Sequence, residues 1–136
     1  MYKEKLPKNC PPKSAIENDD SLILFRVFID SQLNESEFIS YNNLYLDNQR
    51  FQKICEAFAV SFFITSEKAL DKCKKLFEDQ NKKIGSFIAQ VKLKPKIGKY
   101  KVSDTGHCNV WFYANFQIPN DIELLELKEI NYGTRY

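Results

Sequence analysis

The chain has 136 residues, 43% of them hydrophobic and 14% aromatic, which is enough apolar surface for one domain with its own core and too much for a disordered segment. A formal charge of +2 is too small to name a partner, and the single histidine excludes any site built on two imidazoles, such as a paired-histidine zinc hydrolase. No stretch approaches the ~20 apolar residues needed to span a bilayer, and the charged residues 1–8 lead into no apolar run, so the expected compartment is the cytoplasm.

Residues 1–20 read as an extended polar arm, because Pro7, Pro11 and Pro12 each block a helix and Asn18-Asp19-Asp20 has turn composition. Residues 21–136 then read as a single domain. Residues 21–29 are too short and β-branched for a helix and make the best central first strand, with Arg26 as its only charge. Asn34, with Glu37 three residues on, predicts an N-capped short helix through Phe38 and Tyr41. Residues 55–64 read as a buried strand that runs into a helix over 65–77. Thr65 or Ser66 can cap that helix, Glu67 suits its positive end, and Ala69, Leu70, Cys73, Leu76 and Phe77 form one apolar stripe. Residues 81–83 close the helix, with Gly85 as a permissive exit.

Phe87 to Leu93 and Gly98 to Val102 read as strands broken at Pro95, and Cys108 to Phe116 as another. After a turn at residues 119–121, the alternation through Ile130 favours a last strand, with a helix over 122–129 as its rival. The expectation is therefore an α+β domain: a mixed or antiparallel sheet of about five or six strands, one main helix packed on it, and short N-terminal helices.

Strong catalytic signals are absent. There is no glycine-rich phosphate loop, no dinucleotide fingerprint, no nucleophile elbow and no C-x-x-C pair. Cys10, Cys55, Cys73 and Cys108 are scattered and, with no export signal, are expected to be free thiols holding no metal. Cys108 beside His107 does not make a nucleophile and base, since strand neighbours point to opposite faces. From Gln80 to Ser103 there are seven lysines and no acidic residue. Lys92, Lys94 and Lys96 share one face of an extended strand and Lys99 and Lys101 another, with Tyr100 between, so this ribbon could track phosphates or dock a partner. Its plainer reading is a lysine-protected strand edge.

A strand carrying an arginine (Leu24-Phe25-Arg26-Val27), followed by an apolar strand, a hydroxyl residue and a helix (Phe62-Phe63-Ile64-Thr65-Ser66-Glu67-Lys68-Ala69), resembles the front half of ADP-ribosyltransferase-like folds. That resemblance implies NAD as cofactor, with Arg26 on its phosphate or ribose and Ser66 or Ser61 in the serine role. Glu123, Glu126 or Glu129 would be the catalytic acid. Cys10-Pro11-Pro12, Val60-Ser61-Phe62-Phe63 and His107 with Trp111 are together similar to a group of small bacterial proteins. Arg26 has a structural reading too, paired with a carboxylate such as Glu56, and His107 is either a strand-end structural residue or a base.

The sequence thus points first to a small intracellular accessory module without its own catalysis, cofactor or metal. It would dock a protein partner through exposed aromatics and the lysine ribbon. An NAD-using enzyme built on Arg26, Ser61, Ser66, His107 and Glu126 is the alternative, and a nucleic-acid binder using the Lys92–Lys101 ribbon is the third reading.

Overall fold

The computed structural model describes residues 1–133. The strands are β1 (Ile16–Glu17), β2 (Leu22–Phe28), β3 (Val60–Phe63), β4 (Phe87–Leu93), β5 (Gly98–Val102), β6 (His107–Phe112) and β7 (Ile122–Glu129). The helices are α1 (Tyr41–Leu44) and α2 (Ser66–Gln80), with 3-10 turns at Glu35–Phe38 and Cys55–Phe58. All seven strands join one sheet in the order β1-β5-β6-β3-β2-β4-β7, every pairing antiparallel. The α+β expectation holds, and the strand beyond the expected count comes from the arm, where Ile16 and Glu17 pair with Tyr100 and Lys99.

The sheet is curled. β4 and β5 stand four places apart in it, which in a flat sheet would separate them by about 19 Å at ~4.8 Å per strand. Yet only residues 94–97 connect Leu93 to Gly98, a span of at most ~17 Å when fully extended, and Lys96 in that link has a left-handed φ of 61°. The strands must therefore bend toward one another, and the inner face gathers one core from Leu24, Phe28, Val60, Phe62, Val91, Leu93, Cys108, Val110 and Phe112, closed by Phe38 and Phe116.

The outer face has two covers. α2 packs Ala69 and Cys73, both 0% exposed, against Ile88 with Phe25, Val27 and Phe63. Thr65 Oγ1 accepts from the Lys68 N–H at its start, and Asn81 ends it at a left-handed φ of 53°. Lys68, Asp71, Lys72 and Lys75 stay in water, as the stripe predicts. Gly85 is required by space rather than by backbone freedom, because a Cβ there would sit 2.4 Å from Val27 Cγ1 and 2.8 Å from the Phe28 oxygen. The other cover is the arm, which lays Tyr2, Leu6, Cys10 and Ala15 with Phe58 and Ala59 around Trp111.

Several expectations need correction. Residues 55–58 form a 3-10 turn, so the strand expected over 55–64 is confined to Val60–Phe63. The strand expected over 108–116 ends at Phe112, because the chain turns so that the Phe116 N–H bonds the Tyr113 oxygen. The helix rival over 122–129 fails: seven residue pairs with β4, across a bulge at Gln90/Val91, hold that segment extended. Cys10 and Cys55 are not free thiols but a disulfide, across a sequence separation of 45. Among the described residues no helix is long and apolar enough to cross a membrane.

Candidate functional site

β2 sends Leu24, Arg26 and Phe28 to the inner face, so Arg26 enters a nearly apolar environment. Its guanidinium carbon lies 5.8 Å from the Phe38 ring centroid and 5.7 Å from that of Phe62. Nε donates to the Glu37 carbonyl and Nη1 to the Ser61 carbonyl. The partner is thus a pair of backbone oxygens, not the Glu56 carboxylate. Glu37, 4% exposed, turns its carboxylate to the end of β2, where it accepts the N–H groups of Ile29 at 2.9 Å and Asp30 at 2.7 Å. Burial pulls the Arg26 pKa down to about 10, against the opposing effects of Tyr41 and Glu37, and the group remains a cation at neutral pH. Arg26 therefore bolts the 3-10 turn at Glu35–Phe38 to β2 and β3.

The Ser61 carbonyl faces Arg26, while its side chain projects to the outer face. The β3–β6 register sets Ser61 opposite Asn109 and Phe63 opposite His107. Ser61 Oγ and His107 Nε2 share a hydrogen bond, and the His107 ring packs edge-on to Phe63 at 5.5 Å. Burial, then Lys72 and then Arg26, all lower the His107 pKa below its ordinary value, so the ring is neutral at pH 7 and can accept or donate within this pair. Lys101 pairs with Asn109 across β5–β6, and directly opposite residues share a face, so Lys101, Asn109 and Ser61 form one polar row.

The other candidates do not gather here. Ser66, at the exposed start of α2, and Glu126 and Glu129, on β7, border a separate open cavity of about 490 Å³ with Phe25, Leu70, Lys74 and Ile88. Arg26 is not among its walls. Glu126 sits 3.2 Å from Lys128, both side chains well exposed. Glu123 lies opposite Lys92 on the β4–β7 pair. The lysine ribbon is divided: Lys92 is on β4, Lys94 and Lys96 on the following link, and Lys99 and Lys101 on β5, with β6, β3 and β2 between the two strands. Lys99 faces Glu17 of β1, and Tyr100 turns inward against the core.

Cys73 and Cys108 are buried thiols whose pKa values burial raises, that of Cys108 to about 12, which makes both poor nucleophiles. Among the described residues no three His, Cys, Asp or Glu side chains gather as a metal site.

Sequence reasoning missed one exposed feature. Tyr41, Tyr45 and Phe51 cluster at centroid distances of 5.7 to 6.1 Å, Tyr41 and Phe51 stacked and Tyr45 tilted against both. Tyr41 is 54% exposed, and the neighbouring Leu44 and Leu46 are 53% and 68% exposed. Gln52 Nε2 holds this knob together by donating to the carbonyls of Asn42 and Tyr45. The signal was the Tyr41/Tyr45 spacing of one helical turn in a segment, residues 40–52, with no lysine. Comparison with family models, curated proteins and solved structures gives no match for this chain.

Proposed function

We propose that the protein is a small interaction module that docks a protein partner through the knob formed by residues 41–51. The observation that carries this reading is an exposed group of Tyr41, Leu44, Tyr45 and Leu46, backed by the half-buried Phe51 ring, in a lysine-free stretch of an otherwise lysine-rich chain. Interface centres are enriched in aromatics and depleted in lysine, and exposed apolar clusters of this kind call for a cover. The partner would present an apolar groove edged by hydrogen-bonding groups, matching the exposed Asn43 and Asn48 near the rings. Docking of this sort needs no cofactor.

The alternatives have less support. An NAD site needs a cation free for the pyrophosphate, whereas Arg26 points to the inner face with two of its donors engaged by the Glu37 and Ser61 carbonyls. A nucleic-acid surface needs unopposed cations, whereas Lys99 lies opposite Glu17 of β1 and Lys92 opposite Glu123 of β7. The Cys10–Cys55 bond also favours an oxidising compartment over the cytoplasm, because reducing thiol pools keep cytosolic cysteines apart.

The test is partner capture from an extract of the source cells, followed by binding to the purified candidate. It compares the wild type with Leu46→Asp and with a variant in which Lys92, Lys94 and Lys96 are glutamine. We expect a protein that the wild type and the lysine variant retain and Leu46→Asp loses, with the same ranking for the purified pair. Capture that survives Leu46→Asp, or that vanishes in the lysine variant, overturns the reading.

A further inference from the structure

The two covers of the outer face leave a polar strip between them, where Ser61, His107 and Asn109 are each half-buried and still reachable. We propose that Ser61 and His107 are a nucleophile and general-base pair that hydrolyses small acyl esters bearing a negative charge.

The geometry meets the first requirement of such a pair, a serine oxygen within hydrogen-bond reach of an imidazole nitrogen. Neighbouring strands fix both partners in register, and the edge-on contact with Phe63 limits rotation of the ring. The Arg26 guanidinium grips the Ser61 carbonyl from the inner face, so the serine backbone is anchored from behind. With the ring neutral and its proton on Nδ1, Nε2 can take the Ser61 hydroxyl proton.

The charge preference comes from the surroundings. The charged groups that act on His107 are Lys72 of α2 and Arg26 of β2, both positive. Lys101, in line with Asn109 and Ser61, adds a third cation on the exposed side. An anionic substituent would therefore find complementary charge at the strip, and the Asn109 amide offers a donor beside the reacting carbonyl.

In the reaction, Ser61 Oγ attacks the carbonyl carbon as its proton passes to Nε2. The tetrahedral adduct collapses, the ester C–O bond breaks, and the leaving oxygen takes that proton. Water, deprotonated by the same nitrogen, then attacks the acyl-serine and releases the carboxylic acid with Ser61 restored. This activity is independent of docking, because no residue of the 41–51 knob belongs to the strip.

The test begins with the intact wild-type protein and a fluorophosphonate probe, with peptide mass spectrometry to locate the adduct. Ser61 should be labelled, and His107→Gln should slow labelling by about 100-fold or more, the scale of a lost general base. For turnover, 4-acetoxybenzamide is compared with the anionic 4-acetoxybenzoate, whose para carboxylate cannot reach its own ester carbonyl. The anionic ester should have the higher kcat/KM, by about fivefold, and a Lys72→Gln/Lys101→Gln variant should close that gap. Failure to label Ser61 in the folded wild type overturns the proposal without recourse to any variant. So does hydrolysis that persists in Ser61→Ala, and equal rates for the two esters overturn the anionic preference.

Discussion

The outer face of the sheet is covered twice, by α2 on one side and by the N-terminal arm on the other, and the two covers are held in different ways. α2 brings its own backbone hydrogen bonds and needs only a stripe, Ala69, Leu70 and Cys73, to bury against Phe25, Val27, Phe63 and Ile88. The arm has almost no internal structure and is fastened by specific long-range ties. Its disulfide reaches the 3-10 turn at Cys55–Phe58, and the carbonyl of Cys55 also accepts the Trp111 indole N–H at 3.1 Å. Asn18, 2% exposed, donates to the carbonyls of Lys94 and Asp20 and accepts the Ile97 N–H at 3.0 Å. A helix can be held by non-directional burial, but an extended segment needs partners for each buried polar group.

The largest expected effect is on the covalent tie. Replacing Cys10 and Cys55 by serine frees a loop spanning 45 positions, and loop-closure entropy gives a loss of about 3–4 kcal/mol, measurable by urea unfolding. An unchanged midpoint would mean that the arm adds nothing to the folded state. Asn18→Ala should follow at about 2–3 kcal/mol, because it strands the buried Ile97 N–H and two carbonyls. On the helix side, Ala69→Leu should cost about 1–2 kcal/mol by overpacking a site that is 0% exposed.

The helix cover was legible in the sequence and the arm cover was not, and the reason is range. Thr65, Glu67 and the apolar stripe lie within a few positions of one another, so cap and buried face can be read from local spacing. The partners of the arm are separated by 45 positions for the disulfide, 76 for Asn18 with Lys94 and 79 for Asn18 with Ile97, and only the folded sheet brings them together. The candidate site divides in the same way. Arg26 stood out as the one charge of an apolar strand, but backbone carbonyls receive it, and carbonyls have no sequence signature. Ser61 and His107, 46 positions apart, were each visible as candidates, while their pairing depended on the β3–β6 register.

Smaller effects sharpen the contrast. His107 borders the helix through Lys72, and its folded pKa lies below the ordinary 6.5 because of burial, Lys72 and Arg26. The folded state then binds fewer protons than the unfolded chain in the window just below pH 6.5. The stability tied to a neutral His107 is complete above that pH and falls as the solution is acidified through the window. His107→Gln should flatten this part of a stability-versus-pH curve, and an unchanged slope would show that the ring titrates alike in both states. Lys75→Ala, on the wet side of α2, should shift stability by no more than about 0.5 kcal/mol.

Amide hydrogen exchange, followed residue by residue with and without a dithiol reductant, tests the two-cover account most directly. In the oxidised protein the Lys3 N–H is held by the Phe112 oxygen and the Asn18 N–H by the Gly98 oxygen, while Ala69 and Cys73 belong to α2. Reduction should accelerate exchange at Lys3 and neighbouring arm amides and leave Cys73 protected. Equal loss of protection in arm and helix, or an arm that stays protected after the Cys10–Cys55 bond is reduced, would contradict the account.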